Sequence, residues 1–224
     1  MIQLLSDIAV RFSPAALASS LSAEDMVLTD AIARAGLPIE VFVLDTGRLH
    51  ADTLELVAMV RSHYGIAVQV YTPDADAVVR YVSRHGRDAF YGDLELRQHC
   101  CEIRKVGPLK RALVGKRAWI TGQRKDANTR SRLAVREYDA LNGLEKFNPL
   151  ADWSETQVWD YIRGHGVPYN RLYDQGYRSI GCAPCTRPVL PHENVRAGRW
   201  WWESADKKEC GLHAAKTGES VHAG

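Results

Sequence analysis

Apolar positions fall in short unbroken runs separated by amphipathic stretches. Residues 14–20 (PAALASS) and 38–44 (PIEVFVL) read as buried strands, the first ending in small polar residues and the second in Asp45-Thr46-Gly47. Between them, Ser22 followed by Glu24 and Asp25 is a helix start signal. Met26, Val27, Ala31 and Ile32 continue that helix to Ala35, and Gly36 and Pro38 end it. The same pattern predicts a helix over 51–64, a strand over 66–71, helices near 74–84 and 106–113, and a strand over 117–122. Residues 135–138 and 144–148 flank Asn142-Gly143 and predict a hairpin. A helix over 156–163 follows, with Trp153 and Trp159 as packing residues. From Tyr169 onward Gly, Pro and Cys break any period. Strands alternating with helices predict an α/β fold, a doubly wound, mainly parallel sheet with helices on both faces. The predicted division is 1–168 for the sheet domain and 169–224 for an irregular C-terminal appendage ending in a mobile tail.

Composition adds little until charge is mapped. The 224 residues are 46% hydrophobic and 25% charged, ordinary for one globular core with a small appendage. There is no run of 18 apolar residues, so no membrane helix is expected. The N-terminal MIQLLSDIAVRF lacks a basic region before a long apolar stretch, which predicts a cytoplasmic chain without a secretory signal. The net charge of +2 hides a segregation: residues 97–132 carry 11 Lys/Arg against 2 Asp/Glu. A solvated basic face is one reading. Nucleic-acid binding would want interleaved aromatics, which are missing. A small ligand bearing phosphate or sulfate fits better.

Four of the five cysteines pair in sequence, as Cys100-Cys101 and as Cys182 and Cys185 around Ala183-Pro184. An odd count without a signal peptide argues against a disulfide framework. Four thiolates suit an iron–sulfur cluster or zinc. Adjacent ligands strain the tetrahedron around one ion but can reach separate irons, which favours the cluster; zinc and buried or redox-paired thiols remain open. Cys210 stands apart, after Lys207 and Lys208 and before Gly211 and His213. Those neighbours favour the nucleophilic thiolate, and an inert terminal cysteine is the alternative.

Open α/β sheets bind ligands beyond the carboxyl ends of their strands. Three polar groups fall there: Ser19-Ser20-Leu21-Ser22-Ala23-Glu24-Asp25, Asp45 to His50, and Thr121 to Arg130. Each alone is ordinary turn chemistry. Together, with the third inside the basic segment, they predict an anion site.

Taken together, these residues resemble the adenylylsulfate reductase family of assimilatory sulfate reduction, in the branch that carries a 4Fe-4S cluster. The resemblance runs from about Ser19 to His213. Its most specific parts are Cys100-Cys101 with Lys105, Ile180 to Thr186 (IGCAPCT), Arg196 to Trp202 (RAGRWWW) and Glu209 to His213 (ECGLH); LDTG at 44–47 and TGQR at 121–124 support it. It implies the adenine nucleotide alpha-hydrolase type of fold. ATP-splitting relatives with that fold use a Gly-Gly-Lys loop after the first strand, which this chain replaces with Ser-Leu-Ser-Ala-Glu-Asp.

The implied reaction is reduction of adenosine 5′-phosphosulfate to sulfite and AMP. The resemblance makes Cys210 the nucleophile, with His213 assisting, and Cys100, Cys101, Cys182 and Cys185 the ligands of a 4Fe-4S cluster. It makes Lys105, Arg196 and Arg199 phosphosulfate contacts, with Arg124 and Arg130 as further ones and Ser19 and Ser20 lining the nucleotide site. Thioredoxin or a glutaredoxin-like protein is the implied reductant, a homo-oligomer is expected, and no membrane or nucleic acid takes part. Competing readings are a 3′-phosphoadenosine 5′-phosphosulfate reductase or dual-specificity enzyme, a tRNA sulfurtransferase, and a zinc-stabilised nucleic-acid-binding module.

Overall fold

The computed structural model describes residues 1–125, 133–204 and 208. A six-stranded sheet runs in the order β3-β2-β1-β4-β6-β5, with β1 Ala15–Ser19, β2 Ile39–Leu44, β3 Val68–Tyr71, β4 Ala118–Ile120, β5 Arg136–Asp139 and β6 Leu144–Phe147. All pairings are parallel except β5 with β6, the hairpin that Asn142-Gly143 predicted. The strand order reverses between β1 and β4, where a crevice opens at the carboxyl ends.

Period-two alternation divides the strands between two cores. Leu17, Val41, Val43 and Ile120 face one side, where they meet α1 Ile2–Arg11, α2 Ala23–Arg34, α3 Ala51–Tyr64 and α7 Glu155–His165. Ala16, Phe42 and Trp119 face the other, against α6 Gly107–Leu113. The doubly wound expectation therefore holds. Helix α4, Ala75–His85, lies largely at the surface with Tyr81 as its buried residue.

Three helices on the first face are joined through one carboxylate. Asp30 of α2 is fully buried and accepts from Arg34 Nε at 2.9 Å, Tyr64 Oη of α3 at 3.0 Å and Tyr161 Oη of α7 at 2.8 Å.

Two helices have no counterpart in the sequence prediction. Helix α1 closes the first core with Leu5, Ile8 and Ala9. Helix α5, Leu94–Cys101, carries a sequence too polar to announce itself, LELRQHCC. It is capped by Asp93, whose carboxylate accepts from the Glu95 and Leu96 N–H groups. It then widens into a π-turn over Glu102–Val106 before α6. Such insertions concentrate at functional sites, and this one directly follows the cysteine pair.

Residues 169–204 are irregular, as expected, with short 3-10 turns at Arg171–Gln175 and Ala183–Cys185. Among the described residues no helix is long and apolar enough to cross a membrane.

Candidate active site

The crevice at the carboxyl ends of β1, β2 and β4 is a cavity of about 290 Å³. Its walls include Ser19 and Ser20 after β1, Thr46 after β2, Thr121, Gly122, Gln123 and Arg124 after β4, and Lys105, Arg196 and Arg199. A second, smaller cavity lies beside Cys100, Cys101, Cys182 and Cys185, with Arg48, Arg97, Arg104, Phe90 and Trp200 in its wall. Lys105, Cys182 and Trp200 line both. Lys105, Arg124, Arg196 and Arg199 of the sequence-predicted cations therefore line a cleft that shares a wall with the four cysteines.

The cysteine pocket is assembled from three distant segments. Cys100 and Cys101 end α5. Cys182 is held against the loop after β2: Leu49 bridges to it, Ala183 N–H donates to the Arg48 carbonyl at 2.7 Å, and Thr46 Oγ1 lies 3.2 Å from Cys182 Sγ. Cys185 is held from the third side, its carbonyl accepting from Trp200 N–H at 3.1 Å. All four are free thiols. Burial and then the neighbouring Cys182 push the Cys185 thiol up to about 12, while Lys105 and Arg199 pull it down. Burial likewise raises Cys100, with Arg104 opposing. Four cysteines lining one cavity form a donor set that suits iron–sulfur chemistry, in which separate thiolates reach separate irons. Among the described residues, no group of three or more His, Cys, Asp or Glu gathers around one ion position.

Three arginines line this pocket: Arg48, from the polar group expected after the second strand, and Arg97 and Arg104, which sequence reasoning did not single out. Arg104 donates to the Thr46 carbonyl at 2.7 Å. Arg48 pairs with Asp88 at 2.6 Å and stands over the Phe90 ring. Arg97 is 1% exposed and grips Glu203 through two bonds of 2.9 Å. The partner lies 106 residues away, so no local pattern marks Arg97 as buried.

Arg97 and Arg199 both stand over the Trp200 ring, at 4.7 and 4.6 Å from its centroid. Trp200 is buried, with a left-handed φ of 41°, so a bulky side chain holds a conformation that usually needs glycine. The three consecutive tryptophans divide: Trp200 packs inside, while Trp201 and Trp202 form an outer aromatic group with Tyr91. Arg199 donates to the Ile180 carbonyl at 2.8 Å. Gly181 makes this approach possible, since a Cβ there would lie 2.6 Å from Arg199 Cζ.

Arg196 lines the cleft and donates to the Lys208 carbonyl at 3.0 Å. Arg124 also lines it, but its guanidinium is buried and engaged by Glu24 Oε1 at 2.8 Å and the Trp153 carbonyl at 3.3 Å. That engagement gives Arg124 a place as a support of the cleft wall. The Ser19 hydroxyl accepts from Leu21 N–H at 3.2 Å, and the Ser20 hydroxyl donates to Asp25 Oδ2 at 2.6 Å. Arg130, Cys210 and His213 lie outside the described residues.

The family model for the phosphoadenosine phosphosulfate reductase domain matches residues 14–188. The chain belongs to the phosphoadenosine phosphosulfate reductase family. Within that family it is 57% identical over 213 residues to the adenosine 5′-phosphosulfate reductase of Allochromatium vinosum, covering 95% of this chain and 83% of the relative. It is 54% identical over 211 residues to the protein of that name from Burkholderia cepacia, covering 94% and 84%. A solved phosphoadenylyl-sulfate reductase from Candida auris, in a phosphate complex, superposes with a TM-score of 0.72 at 28% identity, over 84% of this chain and 89% of that one.

Proposed function

We propose that this protein reduces adenosine 5′-phosphosulfate to sulfite and AMP, in sulfate assimilation. What carries the reading is Lys105, which lines the wall shared by the cation-bearing cleft and the four-cysteine pocket. The names of the relatives favour the substrate without a 3′-phosphate.

In this reading the cleft binds the nucleotide, with Ser19 and Ser20 beside it. Lys105, Arg196 and Arg199 meet the phosphosulfate oxygens, Arg199 offering two donors in a plane and Lys105 a point charge. Arg130 is a further contact, and Arg124 holds the wall. The Cys210 thiolate, assisted by His213, attacks the sulfur. A sulfur–sulfur bond forms, the bond from sulfur to the AMP oxygen breaks, and AMP leaves with that electron pair. The cations stabilise the charge that collects on the leaving phosphate. A thiol of thioredoxin or a glutaredoxin-like protein then attacks Cys210 Sγ and expels sulfite, and its second thiol closes a disulfide that frees Cys210.

Cys100, Cys101, Cys182 and Cys185 would hold a 4Fe-4S cluster, which would supply structural or electrostatic support to the wall that carries Lys105. Both electrons come from the reductant. The same reading makes 1–168 the nucleotide-binding part and 169–224 the cluster-and-tail segment, in a cytoplasmic homo-oligomer.

The test is sulfite release by protein purified without oxygen, with reduced thioredoxin and either nucleotide. The expected result is brown protein holding iron and acid-labile sulfide in equal amounts, and turnover at least tenfold faster on adenosine 5′-phosphosulfate. Colourless zinc protein, or preference for the 3′-phosphorylated nucleotide, contradicts it.

A further inference from the structure

The loop after β1 is where an open α/β sheet ordinarily offers N–H and O–H donors to a phosphate, at the start of the following helix. Here the donors of Ser20, the Ser22 hydroxyl and the Gly122 N–H are already used by one side chain. Asp25, in the first turn of α2 and 4% exposed, accepts from Ser20 N–H at 2.7 Å, Ser20 Oγ at 2.6 Å and Ser22 Oγ at 3.2 Å, all on Oδ2. Its Oδ1 accepts from Gly122 N–H in the loop after β4, at 3.0 Å. The fit is close on that side: a Cβ on Gly122 would stand 2.5 Å from Oδ1.

We propose that the Asp25 carboxylate is an internal anion seated in the phosphate-cradling position of this loop, and that it bars a polyphosphate chain from the cleft. Resting on the reading of the cleft as an adenine nucleotide site, this makes Asp25 a specificity determinant. A nucleotide's short anionic end can use Lys105, Arg196 and Arg199. A longer polyphosphate extending toward the β1 loop meets spent donors, the Asp25 charge and Glu24 beside it. The Ser20, Ser22 and Gly122 donors of this corner are held by the chain's own carboxylate.

The same geometry predicts a pH signature. Burial lifts Asp25 to about 6, with the Ser20 hydrogen bonds pulling it down and Glu24 pushing it up. The charged and titratable groups around it are Glu24, paired with Arg124, and Tyr173, whose hydroxyl accepts from Ala23 N–H at 3.0 Å; Glu155, paired with Arg178, lies beyond it near Tyr173. Above pH 6 the carboxylate is charged and the barrier stands. Below it, protonation removes the charge and frees a donor.

The experiment is calorimetric binding of AMP, ADP and ATP in magnesium-free buffer, to the cluster-loaded protein and to Asp25→Asn, at pH 7.5 and 5.5. ADP and ATP each carry a terminal phosphate titrating at about 6, so their ratio cancels that contribution. The wild-type protein is expected to bind ATP at least tenfold more weakly than ADP at pH 7.5. The gap should shrink at pH 5.5, and in Asp25→Asn it should be small at both. Equal affinity for ADP and ATP in the wild type at pH 7.5 overturns the inference. So does a gap that neither acid nor the substitution narrows. Should Asp25→Asn fail to fold, the two wild-type pH values decide alone. Failure to bind AMP and ADP at all overturns the nucleotide reading itself, and this inference with it.

Discussion

Single residues carry most of the chemistry proposed for this cleft, and each can be removed alone. Lys105 lines both the cleft and the cysteine pocket, so Lys105→Ala should act in two places. The expected outcome is a loss of about 100-fold or more in kcat/KM, as for removal of one charged transition-state contact, together with a change in the iron absorption spectrum. Full activity with an unchanged spectrum contradicts the shared-wall role. Gly181→Ala tests the approach of Arg199, because the new Cβ would lie 2.6 Å from Arg199 Cζ. Displacement of the guanidinium by about 1 Å should lower kcat/KM by about 100-fold while the unfolding midpoint moves little.

Asp25 adds a stability signature of definite sign. Its folded value of about 6 exceeds the ordinary 3.8, so between those pH values the folded chain holds a proton that the unfolded chain releases. Stability contributed through Asp25 therefore falls as pH rises from about 4 to 6. Asp25→Asn should flatten that part of the stability profile, measured by urea unfolding at a series of pH values. A slope that persists in the variant assigns the effect to other groups.

At the scale of elements, strands and helices differ in how visibly the sequence announced them. Strands β1 and β2 are nearly continuous apolar runs because both faces of the sheet are covered, and such runs are plain without any partner in view. Helix α2 is legible for a related reason: Ser22, Glu24 and Asp25 mark its start. Helix α1 has apolar residues at Leu5, Ile8 and Ala9, a helical spacing that a search for targeting signals passes over. Helix α5 is different in kind. Its buried residues are Arg97 and Cys101, and Arg97 is buried only because Glu203 arrives from a distant segment.

The same distinction divides the site. The cysteine pairs stand out as residue types in a pattern, and Lys105, Arg196 and Arg199 stand out through the family resemblance of the motifs that hold them. Arg48, Arg97, Arg104 and the closed Asp25 loop depend on partners brought together by the fold.

Two element-level predictions follow from buried carboxylates. Asp30 joins α2, α3 and α7, and Asp30→Ala leaves the hydroxyls of Tyr64 and Tyr161 without their acceptor and Arg34 with the His165 carbonyl alone. The expected loss is about 3 kcal/mol of unfolding free energy, with kcat/KM kept where the variant is folded. A urea midpoint within error of the wild type would show that the hub contributes nothing. Arg97→Ala leaves Glu203 buried and unpaired, and removes one of the two guanidinium groups over Trp200. Because Trp200 N–H holds the Cys185 carbonyl, iron content after purification should fall. A fully iron-loaded variant would separate the Arg97–Glu203 pair from the cysteine pocket.

For the whole molecule, the sheet brings three loops to one edge, and the segment over 180–204 closes that edge with Arg196, Arg199 and the second pair of cysteines. Charge is segregated accordingly, the basic stretch 97–132 supplying Lys105 and the loop after β4. The central claim is that this arrangement delivers a phosphosulfate to Cys210. It is tested most directly by mixing the protein with adenosine 5′-phosphosulfate, without oxygen or reductant, and analysing its peptides by mass spectrometry. A sulfonate is expected on Cys210, in step with released AMP, and reduced thioredoxin should discharge it as sulfite. A cluster-loaded protein that binds the nucleotide yet gains no mass at Cys210 would contradict it.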